Sequence, residues 1–212
     1  MKRPRVVLAD DHTLLLEAFR KLLESTCDVV GMVEDGRALL NAAPALKPDA
    51  AVIDIGMPRL NGLEAARQLK QIMPAIKLIF LTMNEDPELA MEAMRQGASG
   101  YLLKSSAASE LIHSVRAALK GERYVTPQIV QGMREAFIRN PQCKNWEKEL
   151  TPRQREVLQL LAEGKSMKEA ADVLRVTPRT IAFHKYRMME DLGVKTSAEL
   201  IHVGIKKCVL VA

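Results

Sequence analysis

"DAAVIDIGMPRLNG", residues 49–62, runs an apolar stretch into an aspartate and then into a loop bearing glycine and proline. Ala50 to Ile53 has the pattern of a strand buried on both faces, with a turn signal close behind it. Asp54 stands where that strand ends. Short β-branched runs recur at 5–9 (RVVLA), 29–33 (VVGMV), 77–82 (KLIFLT) and 100–103 (GYLL). Helical patterns fill the gaps between them. In 13–23, Leu15, Leu16, Phe19, Leu22 and Leu23 fall at i, i+3, i+4 spacing. Asn61-Gly-Leu-Glu64 has the spacing of a capping box opening a helix over 62–73. Asp86 before Pro87 pairs a cap with a proline at the first helical position. Five strands alternating with five helices predict a doubly wound α/β domain, a five-stranded parallel sheet with right-handed crossovers.

From residue 150 the strand patterns stop. Thr151, with Gln154, caps a helix over 152–163 that Gly164 ends. Ser166, with Glu169, caps a short helix over 167–174. Thr177-Pro178 opens a third over 178–192, closed by Gly193, and Thr196, with Glu199, opens a fourth over 197–210. The chain therefore divides into 1–121, an α/β domain; 122–149, a linker with a helix near 126–138 and then the polar "NPQCKNWEKE"; and 150–212, an all-α four-helix domain.

Composition narrows the function classes. The 212 residues suit two domains, and 48% hydrophobic with 27% charged content is ordinary for a globular chain. No window holds 18 uninterrupted apolar residues, so no membrane span is expected. The start, "MKRPRVVLADDH", meets Asp10 and Asp11 after a run of only four apolar residues, Val6 to Ala9, too soon for a signal peptide. Cys27, Cys143 and Cys208 are scattered without CxxC spacing, which argues against a disulfide framework or zinc site and fits a reducing cytoplasm. Residues 1–121 carry 15 Lys+Arg and 15 Asp+Glu, residues 122–149 carry 5 and 4, and residues 150–212 carry 11 and 7. Only the last third is markedly basic, which suggests an anionic partner for it, or simply a solvated basic face.

In an open parallel sheet, ligands bind beyond the carboxyl ends of the strands, where the strand order reverses. Asp10-Asp11, Asp54, Thr82 and Lys104 all stand at such ends. In the order 2-1-3-4-5, strands 1 and 3 are neighbours and the three carboxylates converge. Like charges at that range repel, and a divalent cation removes the difficulty. Mg²⁺ prefers oxygen ligands and suits a site completed by a phosphoryl group. A lysine and a hydroxyl can hold the remaining phosphoryl oxygens. The set suits phosphoryl transfer onto a carboxylate, with Asp54 the candidate nucleophile.

"LADDH", "VIDIGMPRLNG", "LT" and "GYLLK" resemble the motifs of a response-regulator receiver domain over roughly residues 4–121. The resemblance implies Asp54 as phospho-acceptor, Asp10, Asp11, Asp54 and the Gly56 carbonyl as Mg²⁺ ligands, and Thr82 and Lys104 as the phosphoryl-contacting pair. Tyr101 sits where the family places an aromatic that turns inward when the hydroxyl engages the phosphoryl group. Ser105 replaces the proline that usually follows the lysine. Met83 should narrow access to the acyl phosphate, and Gly56 and Asn84 lie at positions that tune its lifetime.

Residues 150–206 resemble the LuxR-type helix-turn-helix domain, so the whole is similar to a NarL/FixJ-type response regulator. The resemblance makes the third C-terminal helix a recognition helix, with Thr177, Arg179, Thr180, Ala182, Phe183, Lys185, Tyr186 and Arg187 as the DNA-binding set and Lys195 and Thr196 at phosphates. Ala182, Phe183 and Tyr186 face the groove by family position. Ala182 and Tyr186 depart from the usual basic and polar residues, so base hydrogen bonds should be sparse and affinity should lean on phosphates. Ala198, Ile201, Ile205 and Val209 form a stripe suited to a dimer interface or to packing within their own bundle.

The expected function is a cytoplasmic two-component regulator, phosphorylated by a sensor histidine kinase, dimeric, and acting on double-stranded promoter DNA. Its readout is either dimer formation or release of the third C-terminal helix from the receiver. No catalysis on an external substrate is expected. A haloacid-dehalogenase-like phosphatase also uses a strand-end aspartate, but it wants a second acid two residues on, and position 56 is glycine.

Overall fold

A computed structural model describes residues 3–139 and 150–206, without the side chains of 136–139 and 204–206. The tract 140–149 and the end of the last expected helix, with Val209, lie outside these residues. The first unit runs β1 (Arg5–Ala9), α1 (Thr13–Leu23), β2 (Asp28–Val33), α2 (Gly36–Leu46), β3 (Ala50–Asp54), α3 (Gly62–Ile72), β4 (Lys77–Thr82), α4 (Pro87–Arg95), β5 (Gly100–Leu103) and α5 (Ala107–Lys120), then β6 (Tyr124–Val125) and α6 (Pro127–Arg139). The second holds α7 (Pro152–Ala162), α8 (Met167–Leu174), α9 (Pro178–Asp191) and α10 (Ser197–Lys206).

The sheet is parallel, ordered β2-β1-β3-β4-β5-β6. The sequence pattern gives five strands, and the sixth corrects that number. Two residues are too few to show an alternation, so β6 has no signature of its own. It exists because β5 would otherwise end the sheet with an open edge. β3 lies inside the sheet and is buried along its whole length, as a parallel strand covered on both faces must be.

Successive side chains on the strands go to opposite cores. Val7, Ala51, Ile53, Leu78, Phe80 and Tyr101 meet α2, α3 and α4, and Ile129 of α6 joins them. Val6, Leu8, Val52, Ile79, Leu81 and Leu102 meet Leu16, Phe19 and Leu23 of α1 and Leu111 and Val115 of α5. The strands are thus fixed on both sides, and their carboxyl ends form a rigid edge. The C-terminal bundle closes on Val157, Leu158, Leu160, Ala170, Ala171, Ile181, Met188 and Leu200.

The loop after β3 turns back tightly. Gly62 N–H donates to the Ile55 carbonyl at 3.0 Å. A Cβ on Gly62 would fall 2.1 Å from the Asp54 carbonyl oxygen. Only glycine lets α3 start that close to the end of β3, so the glycine holds the strand-end aspartate and the helix start in one register.

Candidate functional site

The strand ends bring four side chains together. Asp10 lies just past β1, Asp54 ends β3, Thr82 ends β4, and all three are buried. Lys104 follows β5, with its side chain only 4% exposed. Its Nζ sits 2.8 Å from Asp10 Oδ2 and 3.0 Å from Asp54 Oδ2. Asp11 is exposed at the mouth. Gly56 N–H hydrogen-bonds to the Asp54 carboxylate. Thr82 Oγ1 accepts from Asn84 N–H at 2.9 Å, which leaves its own proton free to donate. Tyr101 is fully buried, facing the α4 side of the sheet. Met83, beside Thr82, is 76% exposed.

One lysine shared between two carboxylates sets the electrostatics. Burial raises the Asp54 carboxyl above the ordinary carboxylate range, and the Lys104 charge only partly offsets it. Burial also works against the Lys104 charge, but hydrogen bonds and charges from both Asp10 and Asp54 outweigh it and hold the amine above its usual value. Lys104 gains two anions where Asp54 gains half a cation.

Could the acids hold a metal? Ligand atoms of Asp10, Asp11, His12 and Asp54 all lie within 4.8 Å of one another. Three oxygen donors at that range fit a hard divalent cation. His12 was not foreseen from sequence. Its Nδ1 lies 3.1 Å from Asp10 Oδ1 and 2.9 Å from Asp11 Oδ1, and its place directly after the paired acids is the only signal it gives.

The loop after Asp54 is also where α7 docks. Gln159 Oε1 accepts from Asn61 N–H at 2.8 Å, and Gln159 Nε2 donates to the Met57 carbonyl at 3.0 Å. Arg59 N–H donates to Glu163 Oε1 at 2.8 Å. Glu156 accepts from Gln68 Nε2 at 2.8 Å and from Arg37 Nη2 at 3.1 Å. This contact explains a departure from the sequence pattern. Asn61 caps α3 by accepting from Glu64 N–H, but the reciprocal half of the expected capping box is not made. Glu64 turns to Arg67 and Gln68, and Gln159 takes the Asn61 N–H.

On α9, the Thr177 hydroxyl accepts from Thr180 N–H at 3.2 Å. Arg179 and Arg187 are exposed, Phe183 is 64% and Tyr186 60% exposed, and Thr180, Ala182 and Lys185 are half-buried. Lys185 Nζ lies 5.5 Å from the Tyr186 ring centre. Lys195 and Thr196 are exposed before α10. Phe183, His184 and Arg187 line a cleft of about 810 Å³ together with the start of α7 and with Arg67 of α3. In the α10 stripe, Ala198 is exposed and Ile201 packs against the bundle core. The Ile205 side chain and Val209 lie outside what the structure describes.

Two family models match. The response regulator receiver domain covers residues 6–116, and the luxR family of bacterial regulatory proteins covers 148–204. The chain is similar to the oxygen regulatory protein NreC of Staphylococcus aureus, 32% identical over 97% of this chain and 99% of the relative. It also resembles RcsB of Salmonella enterica serovar Typhimurium bound to promoter rprA with the phosphomimetic BeF3-, 30% identical at a TM-score of 0.62, over 95% of this chain and 98% of that one. A structure of two RcsB dimers bound to two parallel DNAs matches at 30% identity and a TM-score of 0.59, over 95% and 97%. Among the described residues no helix is long and apolar enough to cross a membrane.

Proposed function

The chain belongs to the response regulators that join a receiver domain to a LuxR-type DNA-binding domain, and on that premise we propose that it is a transcription factor switched by phosphorylation of Asp54. The observation that carries this is Lys104 bridging Asp10 and Asp54 at the carboxyl edge of the sheet. A sensor histidine kinase supplies the phosphoryl group. An Asp54 carboxylate oxygen forms the new P–O bond as the P–N bond of the phosphohistidine breaks. Asp10, Asp11, Asp54 and the Gly56 carbonyl would hold Mg²⁺, whose charge neutralises the phosphoryl oxygens. Lys104 Nζ exchanges its contact with Asp54 for a phosphoryl oxygen, and the free Thr82 proton donates to another. The transfer is self-directed, and the regulator turns over no external substrate.

The output is double-stranded DNA, so the chain acts in the cytoplasm. α9 enters the major groove, with Phe183 and Tyr186 toward the bases and Thr177, Lys195 and Thr196 toward phosphates. A homodimer promoted by phosphorylation would read paired half-sites, with Ala198 and Ile201 on the candidate contact helix. In the docked arrangement, α3 walls the cleft in front of Phe183 and Arg187, and a duplex lying along α9 would meet the receiver. The docked state is therefore the resting one, and its polar clasp comes from α7, not from the recognition helix alone.

Labelling by a small acyl-phosphate donor with Mg²⁺ tests the acceptor. Asp54→Asn abolishes acyl-phosphate formation. Labelling that persists on that variant refutes the assignment.

A further inference from the structure

Three Thr-Pro pairs open helices in this chain: Thr126-Pro127, Thr151-Pro152 and Thr177-Pro178. In the last two, the threonine is exposed and its hydroxyl accepts from the backbone N–H three residues on. That is ordinary capping. Thr126 differs. It is buried, and its hydroxyl turns back to the end of β5 and the start of α5. It donates to Glu110 Oε2 at 2.7 Å, lies 3.4 Å from Ser106 Oγ, and sits 3.4 Å from the N–H of Leu103, the residue before Lys104. The Thr126 backbone N–H donates to the Tyr101 carbonyl at 3.0 Å.

Thr126 thus grips β5 at two points, Tyr101 and Leu103, the second of them adjacent to Lys104. On the other side, the Lys104 N–H donates to the Thr82 carbonyl at 2.8 Å. The turn carrying Lys104 is held between β4 and Thr126. Beyond Thr126, α6 is not a loose tether. Ile129 is buried in the same core as Tyr101. Gly132 approaches Pro87 so closely that a Cβ there would sit 3.2 Å from the proline ring. Gln128 Nε2 donates to Glu85 at 3.0 Å.

We propose that Thr126 is a positioning residue for Lys104, and that through it β6 and α6 carry the phosphorylation state of the receiver toward the DNA-binding domain. This rests on Lys104 as a phosphoryl-contacting group. When Lys104 shifts to hold a phosphoryl oxygen, the β5–α5 turn moves with it, and Thr126 passes that movement to α6. Residues 122–139 are then part of the receiver's working structure and not a spacer.

The test uses the full chain, a small acyl-phosphate donor and Mg²⁺. Thr126→Val keeps the shape and removes the hydroxyl. The labelling rate at saturating donor falls roughly fivefold, the factor carried by one hydrogen bond, and Thr126→Ser restores it. In the wild type, phosphorylation changes amide hydrogen exchange over 124–133, and in Thr126→Val that change is lost. Glu110→Ala loosens the same tie from α5 and slows labelling likewise, which keeps the test open if Thr126→Val folds poorly. Lys104→Ala is the control. If it labels normally, the underlying reading of Lys104 fails. If it is impaired while Thr126→Val and Glu110→Ala label at the wild-type rate, the inference is overturned. Slowing that serine does not restore, or that merely tracks lost thermal stability, overturns it too.

Discussion

Gln159→Ala is the sharpest perturbation of the proposed switch, because one side chain satisfies two buried backbone groups of the loop after Asp54. Its amide oxygen takes the Asn61 N–H and its amide nitrogen serves the Met57 carbonyl, at 2.8 and 3.0 Å. Met57 and Asn61 are both buried in the docked state. Alanine removes both partners. If water follows into the gap, each lost hydrogen bond costs about 0.5–1.5 kcal/mol. Together they shift the docking equilibrium by roughly 1–3 kcal/mol, or about 5- to 150-fold. If the gap stays dry, the penalty is larger and the domains separate further. Gln159→Glu separates hydrogen bonding from shape: it keeps an acceptor for Asn61 but turns a carboxylate oxygen on the Met57 carbonyl, so it should open the clasp at least as far. Two measurements read the effect without phosphorylation. Amide exchange over 57–63 speeds up, and affinity for a duplex selected by the phosphorylated protein rises within that range. Unchanged exchange at Asn61 together with unchanged DNA affinity would refute the clasp as a resting-state lock.

Other substitutions test the site and the interface. Since burial holds the folded-state pKa of Asp54 above its unfolded value, the folded chain binds the extra proton, and stability falls as pH rises from about 3.9 through that raised value. Asp54→Asn should therefore raise the melting temperature at neutral pH without divalent cation, with the gain fading below about pH 4; a lowered melting temperature at pH 7 contradicts this. Adding Mg²⁺ should raise the melting temperature of the wild type and leave Asp54→Asn nearly unmoved, as scanning calorimetry can show. Gly62→Ala forces a Cβ into the backbone at Asp54 and should cost about 2 kcal/mol or more in urea unfolding; near-neutral behaviour would mean the loop has slack. Lys195→Ala should weaken DNA binding alike on all sequences and reduce the salt slope of log K by about 1, whereas Phe183→Ala should alter sequence preference. A flat salt dependence in the wild type would show that phosphates do not dominate.

Much of the receiver was legible because parallel strands buried on both faces leave continuous apolar runs, and because the proposed acceptor chemistry falls at their ends. Asp10, Asp54, Thr82 and Lys104 are far apart in the chain, and strand order alone brings them together. Tyr124-Val125 was not legible. It is a strand only because β5 offers an edge, a tertiary cause that leaves no local period. His12 is not legible either, since a histidine after two acids has no spacing pattern to mark it.

The clasp leaves no mark in the sequence for a different reason. Gln154, Glu156 and Gln159 are buried polar residues on a helix whose apolar positions, Val157, Leu158 and Leu160, already account for its own core. Read alone, that helix shows an apolar side and a polar side, and polarity signals solvent. Here the polar side is the docking side. Such a surface suits a contact that must both form and release. An apolar face would hold the domains together by area alone and leave a sticky patch once they parted. Hydrogen bonds to loop backbone are exchanged for bonds to water at modest net cost, and they exist only while Met57 and Asn61 keep the spacing that the Asp54 loop imposes. A contact of that kind is weak enough to be broken by a change a few residues away, and Asp54, the proposed acceptor, lies at the start of the same loop.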